Sequence, residues 1–320
     1  MTVPAGELTV DVILPTHAGE RWVGEAIESV ARQSHSLWQL MVVDDCSPDS
    51  TAGRVESLLR SDPDRISLLR LDCLHRAAGA RMEGIARTSG DLIAFLDQDD
   101  RWLPEKLARQ VACFAADPAL AAVHTDVEII DADGAPRVGA ADRENAHRAR
   151  IAWGSGSGLS ALLFQKNSIR LASSVVRRTA FEAIGGFDTS LFGGEDWEFW
   201  VRLADRFPIA HLPEVLTQRR VHADNVSRVH SLERSAGKLR ALEKMKRGHR
   251  QVAPLAAAKR AQLLREATLA AASQRRPVQA SRYAVSLVTQ RLRGLFTPSP
   301  PGNLSREEGA LSEAERGKGG

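Results

Sequence analysis

Gly90-Asp-Leu-Ile-Ala-Phe-Leu-Asp-Gln-Asp-Asp-Arg-Trp102 decides how the chain is read, because an unbroken apolar run from Leu92 to Leu96 ends on three carboxylates, Asp97, Asp99 and Asp100. A short apolar run bounded by polar residues predicts a strand buried on both faces. In an open parallel sheet the ligand lies beyond the carboxyl ends of the strands, which is where these acids fall. Three carboxylates within four residues repel one another unless a cation joins them, and oxygen donors suit a hard divalent metal, Mn²⁺ or Mg²⁺. The competing reading of the same residues is a solvated acidic turn ahead of a helix opened by Pro104.

Working outward, the pattern recurs upstream. Val10 to Leu14 predicts a first strand, stopped by Pro15 and followed by Thr16, His17, Ala18 and Gly19. Trp22, Val23, Ala26, Ile27 and Val30 then repeat at helical spacing over 21–33. Leu40 to Val43 predicts a second strand that also ends in acids, Asp44 and Asp45. A helix to about Arg60, a strand at Ile66 to Leu69 and a helix over 77–89 carrying Arg81 follow. Short apolar strands alternating with helices imply an α/β chain with a doubly wound, mainly parallel sheet. No GxGxxG joins the first strand to its helix, which argues against a glycine-rich dinucleotide loop. Carboxylates stand at two strand ends instead. An acid at the second can accept a hydrogen bond from a base or ribose, and acids at the fourth can hold a metal on a diphosphate.

Downstream, Pro104 to Phe114 predicts a helix and Ala121 to Ile130 a strand. Residues 135–171, centred on Trp153-Gly-Ser-Gly-Ser-Gly158, read as a loop. Ala172 to Val176 predicts a strand, with Thr179 as the N-cap of a short helix ended by Gly185-Gly186. Gly193-Gly-Glu-Asp-Trp-Glu-Phe-Trp200 opens a helix to about Asp205. Its N-terminus favours negative charge, so capping alone accounts for Glu195 and Asp196. Arg219, Arg220, His222 and Asn225 follow a strand-like segment, the histidine being open to a packing or a ligand role.

The net charge of +3 conceals a division. Residues 231–295 carry 15 Lys/Arg against 3 Glu, whereas 1–230 carry 25 basic against 33 acidic residues. The expected organisation is a body over 1–230, a basic helical segment over 231–295 with helices at about 255–272 and 278–294, and a disordered Pro/Gly/Ser/Glu tail over 296–320. Cys46, Cys73 and Cys113 are too few and scattered for a disulfide or zinc framework, which suits a cytoplasmic protein. The N-terminus has no basic and apolar signal pattern, and no apolar run reaches the roughly 20 residues of a membrane span. The basic segment has one aromatic residue, Tyr283, and so lacks stacking platforms for nucleic acid. It reads either as helices packed on the body with solvated arginines or as a peripheral contact with an anionic membrane.

Taken together, Val-Ile-Leu-Pro-Thr16, Val-Val-Asp-Asp-Cys-Ser47, Phe-Leu-Asp-Gln-Asp-Asp100, Gly-Gly-Phe-Asp188, Gly-Glu-Asp-Trp-Glu-Phe-Trp200 and Arg-Val-His-Ala-Asp-Asn225 stand in the order found in the family 2 glycosyltransferases, which this chain resembles over about residues 9–228. The resemblance implies a GT-A nucleotide-diphospho-sugar transferase fold with a C-terminal helical appendage, and inverting transfer of one sugar from a nucleotide-diphosphate donor to a hydroxyl on a glycan or lipid-linked cell-envelope acceptor. It implies that Pro15 and Thr16 line the nucleotide pocket, that Asp45 with Asp44 beside it bonds the base or ribose, and that Arg81 reaches the base or diphosphate. Met82 stands where the family usually has Asn. Asp97 and Asp99 match the Asp-x-Asp pair for ribose and metal, Asp100 shares the metal, Asp196 matches the catalytic base, and His222 matches a histidine that completes the metal site in some members. Gln218-Arg-Arg-Val-His222 lacks the tryptophan of the processive motif, so transfer of single sugars is expected.

Elementary chemistry is consistent with those roles. A departing diphosphate needs its charge neutralised, and the acceptor hydroxyl needs a carboxylate to take its proton. One base suffices, unlike the paired carboxyls of hydrolases. The alternatives are a sugar-phosphate nucleotidyltransferase, whose basic glycine-rich signature Pro15-Thr-His-Ala18 does not supply, and a non-catalytic nucleotide-sugar-binding protein, which would have lost the base or metal acids.

Overall fold

The computed structural model describes residues 8–60, 62–148, 153–222 and 232–296; the tail expected over 296–320, apart from Phe296, and Asn225 lie outside the described residues. Its strands are β1 (Val10–Thr16), β2 (Trp38–Asp44), β3 (Ile66–Arg70), β4 (Leu92–Phe95), β5 (Arg101–Trp102), β6 (Ala122–Ile130), β7 (Trp153–Gly154), β8 (Ser174–Arg177) and β9 (Ile209–Arg220). The helices are α1 (Val23–Ala31), α2 (Thr51–Leu59), α3 (Arg76–Ile85), α4 (Lys106–Ala116), α5 (Asp142–Arg148), α6 (Ser157–Gln165), α7 (Arg178–Ala183), α8 (Glu195–Arg206), α9 (Leu232–Gly248), α10 (Ala253–Ser273) and α11 (Pro277–Phe296). All the strands join one sheet in the order β3-β2-β1-β4-β8-β6-β9-β5, with β7 added on β9.

The first four strands are parallel. Every residue of β4 is buried, as are all of β1 except Pro15, which is the covering on both faces that their apolar runs require. The pairing of Thr16 with Asp44 and of Ile13 with Phe95 sets the carboxyl ends of β1, β2 and β4 side by side. Three acid- or hydroxyl-bearing turns therefore meet at one sheet edge.

In the second half of the sheet β8, β5 and β7 run against the strands they pair with. β8 is antiparallel to both β4 and β6, so the chain enters β8 at the edge where β4 ends. β9 runs parallel to β6 and carries Arg219 and Arg220 back to that edge. The helix expected from Pro104 begins at Lys106, because Arg101 and Trp102 first pair with Gln218 and Thr217 as β5. The stretch 135–171 is no simple loop: it contains α5, β7 and α6. Gly156, at φ 80°, supplies the turn into α6, and Leu159, Leu163 and Phe164 give that helix a buried face. Thr179 lies inside α7, whose cap position is Arg177.

Among the described residues beyond 230, three α-helices replace the two expected. The unexpected one, α9, buries Ser235, Gly237, Ala241, Leu242 and Met245, and such small residues leave only a faint apolar period. Ala241, Leu242 and Met245 share one apolar cluster with Phe95, Phe181, Phe187, Phe199 and Trp200. The Lys244 ammonium lies 2.9 Å from both Asp188 and the buried Glu198, and His249 Nδ1 lies 3.0 Å from Asp205. Of these groups only Glu198 is fully buried, and together the contacts tie α9 to α8 and to the turn before it. α11 rests on α10, with Arg260 donating to Ser286 Oγ at 3.2 Å. Among the described residues no helix is long and apolar enough to cross a membrane.

Candidate active site

The strand ends, the entry to β8, the start of α8 and the end of β9 surround a cavity of about 410 Å³. Pro15, Thr16, Asp45, Arg81, Asp97, Asp99, Asp100, Asp196 and His222 all line it. Asp44 does not. It is the last residue of β2 and buried, whereas Asp45 follows the strand and turns its side chain into the cavity.

On the β1–β2 side the backbone is drawn together by Gln98. Its Oε1 accepts from Thr16 Oγ1 at 2.7 Å and from the His17 N–H at 2.8 Å. A Cβ at residue 19 would lie 2.5 Å from both Gln98 Oε1 and Thr16 Oγ1, so glycine is required for this approach. Asp45 Oδ1 accepts from the His75 N–H at 2.7 Å, tying the end of β2 to the start of α3. Ala18, Cys46 and Arg76 hold φ of 50°, 60° and 63° at the turns around this side. Left-handed conformations in non-glycine residues cost about 1–3 kcal/mol each and cluster at functional sites.

The acid cluster lies at the centre. Arg81, almost fully buried, donates to Asp97 Oδ1 at 2.6 Å. His222 Nε2 is 2.9 Å from Asp99 Oδ2, and its ring is tilted over Trp22 at 4.0 Å between centroids. Asp100 Oδ1 accepts the Arg220 N–H at 2.9 Å, which binds the acidic turn to β9. Burial, followed by the charge of Asp97, raises the Asp99 carboxyl above its ordinary range; burial, followed by Asp99 and Asp97, raises Asp100 further. Among the described residues no three side chains already converge as a metal cage. The donor chemistry nonetheless fits a hard divalent cation: carboxylate oxygens with an imidazole at their rim, and a local excess of negative charge that a cation would relieve.

At the opposite rim Asp196 occupies the first turn of α8, behind Gly194 at φ 115°. Its Oδ1 accepts the Trp197 N–H at 2.7 Å and its Oδ2 accepts from Asn167 Nδ2 at 2.8 Å. The carboxylate is thus held by two donors yet still lines the cavity. Burial, then the charge of Asp196, pushes the neighbouring Glu195 carboxyl up.

Sequence reasoning missed Gln98, Asn167 and five of the cavity-lining arginines, Arg76, Arg170, Arg219, Arg220 and Arg234. Arg219 and Arg220 stand out as charges after a strand-like segment, but nothing local marks the others. Arg170 reaches the site because β8 is antiparallel, and Arg234 because α9 folds back against the turn before α8.

The profile described as Glycosyl transferase family 2 matches residues 11–184. The chain is 39% identical over 103 residues to UDP-Glc:alpha-D-GlcNAc-diphosphoundecaprenol beta-1,3-glucosyltransferase WfgD of Escherichia coli, covering 32% of this chain and 40% of that protein. It spans about half or less of the length of the first curated relatives it matches. Among solved structures, the mannosyltransferase PcManGT of Pyrobaculum calidifontis, in complex with GDP-Man and Mn²⁺, superposes with a TM-score of 0.61 at 19% identity, over 93% of this chain and 84% of that one. TarS 1–349 of S. aureus in complex with UDP-GlcNAc gives 0.58 at 15% identity, over 88% and 89%. At such identities these likenesses establish the GT-A fold. With the family profile spanning more than half its length and both strand-end acid groups inside that span, the chain belongs to glycosyl transferase family 2.

Proposed function

We propose that this protein transfers one glycosyl group, with inversion, from a nucleotide-diphosphate sugar to a hydroxyl of a glycan or lipid-linked cell-envelope acceptor. The observation that carries the reading is the convergence, on one cavity, of a strand-end acid cluster and a separate carboxylate held by two donors. Pro15, Thr16, Asp45 and Arg81 bind the nucleotide, the buried Arg81 fixing Asp97 beside it. Asp97 and Asp99, with Asp100 and His222 at their flanks, would hold Mn²⁺ or Mg²⁺, which when bound supplies positive charge to the departing diphosphate. Asp196 takes the proton of the attacking hydroxyl, and Asn167 fixes the orientation of the carboxylate.

The domain reading is a catalytic body over 1–230 with 231–295 as a helical appendage, working in the cytoplasm at the inner face of a membrane. α11 supports this location by exposing Val278, Val285 and Val288 beside Arg275, Arg276 and Arg282. A panel of nucleotide sugars tested by thermal shift with and without Mn²⁺, then by nucleoside diphosphate release and sugar transfer, tests the activity. Stabilisation by no nucleotide sugar, or release of pyrophosphate from a sugar phosphate and a nucleoside triphosphate, would refute it.

A further inference from the structure

The Asp196 carboxylate is held in part by a side chain that is itself bonded at one end. Asn167 donates through Nδ2 to Asp196 Oδ2 at 2.8 Å, while among the described residues its Oδ1 is buried with no hydrogen-bond partner. A single bond lets an amide swing about its axis, so the aim of Asn167 has to come from the backbone that carries it. Residues 167–170 belong to no helix or strand, and Ser168 and Ile169 within them are buried. Downstream this strap is pinned from behind, because Trp102 Nε1 donates to the Ala172 carbonyl at 2.8 Å and Gln110 Nε2 to the Ser173 carbonyl at 3.1 Å.

Upstream, next to Asn167, the anchor is Arg148, the last residue of α5, which does not line the cavity. Its side chain is 1% exposed. It donates through Nε to the Ser168 carbonyl at 3.0 Å, through Nη2 to Glu144 at 3.2 Å, and through Nη1 to Asn145 Oδ1. Each of these partners is fixed in turn. Asn145 accepts the Val127 N–H of β6 at 3.2 Å and donates to the Val127 carbonyl at 3.0 Å. Glu144 also receives Arg170 through both oxygens, at 2.8 and 3.3 Å. One planar fork, used at all three nitrogens, thus ties the strap to α5 and through it to the sheet, with a geometry that a flexible ammonium could not impose.

We infer that Arg148 is a positioning residue for the base: acting through the Ser168 carbonyl and Asn167, it sets where the Asp196 carboxylate stands, so that a residue outside the cavity governs turnover. The inference rests on the reading of Asp196 as the base of a transferase. Support of the fold alone would cost stability whether or not the base is present. A role through the base is felt only while the carboxylate is there to be aimed.

The test is a double-mutant cycle on the full chain, with the donor selected by thermal shift and turnover expressed per donor site counted by calorimetry. Arg148→Gln should lower kcat by about 10- to 100-fold, the loss that follows from moving a reacting group by about 1 Å, with donor Kd unchanged. On top of Asp196→Asn it should cost no more than a few-fold further, because groups that act as one unit are not additive. Arg148→Lys keeps a charge beside Glu144 but cannot span the three acceptors; it should give an intermediate loss, and it carries the test where the glutamine variant does not fold. In heteronuclear NMR spectra the Asn167 side-chain amide, assigned by its absence in Asn167→Ala, should shift in both Arg148 variants. Losses that multiply with Asp196→Asn, native kcat in a folded Arg148 variant, or an unmoved Asn167 resonance would overturn the inference. Absence of transfer by native protein would instead refute the transferase reading, and the amide resonance would then decide alone whether Arg148 aims Asn167.

Discussion

Asp196→Asn separates catalysis from capping. The carboxylate now accepts two hydrogen bonds, from the Trp197 N–H at 2.7 Å and from Asn167 Nδ2 at 2.8 Å. A carboxamide has one oxygen to offer, so one of these donors loses its partner and faces an NH₂ group. A hydrogen bond to a charged group contributes about 1.5–3 kcal/mol, and in domains of 150–250 residues each kcal/mol corresponds to about 2–4 °C in Tm. The variant should therefore fold with a Tm lower by several degrees. Its turnover should fall far more, by about 10²–10⁴, because an amide cannot take the acceptor proton. Donor Kd from calorimetry should change by no more than a few-fold. Asn167→Ala, which keeps the carboxylate and removes one donor to it, should give a smaller loss of kcat. The assay is sugar transfer measured beside nucleoside diphosphate release, with melting curves on the same preparations. If Asp196→Asn melts earlier but keeps its turnover within a few-fold, Asp196 is a helix cap and the assignment of the base is wrong.

Other consequences follow from the same geometry. Excess EDTA, or Asp99→Ala in folded protein, should nearly abolish transfer, with Mn²⁺ or Mg²⁺ restoring the chelated enzyme; full activity in EDTA would exclude the metal role. Asp45→Ala should weaken donor affinity more than saturated turnover, and an unchanged donor Kd would take Asp45 out of the nucleotide site. The Glu195 carboxyl is raised above 4.5 by burial and then by Asp196, so the folded chain binds more protons than the unfolded one above that pH, and this group lowers stability as pH rises through the raised value. Glu195→Gln should thus melt higher than native protein at pH 8, by a margin that disappears below pH 4.5; a margin independent of pH would contradict the shift. Native protein should co-sediment with anionic vesicles at low salt and less at high salt, whereas Val278→Asp/Val285→Asp/Val288→Asp should stay in solution; equal binding by both would remove α11 from the contact.

The legible part of the fold is the part governed by local pattern. An apolar run fixes a buried strand, and an acid immediately after it falls at the ligand edge of a parallel sheet, which is why Asp45 and Asp97 to Asp100 could be placed from the chain alone. Asp44 shows the limit of that reasoning: it ends β2 and is absent from the cavity lining while Asp45 is present, and local pattern alone does not choose between the two adjacent acids. Asn167 and Arg170 were illegible for another reason. They reach Asp196 and the cavity only because β8 inserts antiparallel between β4 and β6, and no residue in 160–175 announces that reversal. The glycines and serines at 154–158 misled because Gly156 begins a helix there.

The charge division between body and C-terminal segment acquires a structural meaning at α9. A Cβ at Gly237 would lie 1.8 Å from the Phe192 carbonyl oxygen, and one at Gly193 would lie 2.8 Å from the Arg234 side chain. α9 is therefore pressed against the turn that leads into α8, and that turn, through Gly194, sets where Glu195 and Asp196 stand. Several of the segment's cations are spent on this junction: Lys244 on Asp188 and Glu198, and Arg234 at the cavity wall. Lys238 pairs instead with Glu266, and Arg260 with Glu243, inside the segment itself. Arg275, Arg276 and Arg282 are exposed next to the outward valines of α11, while Arg240, Lys246, Arg247, Arg250 and Arg265 are exposed elsewhere on α9 and α10 and the turn between them. Part of the basic segment thus packs against the cavity wall and the turn into α8, and α11 presents charge and apolar surface outward. Under the proposed function the first contact would hold Asp196 in place, and the second would face the membrane from which the acceptor arrives.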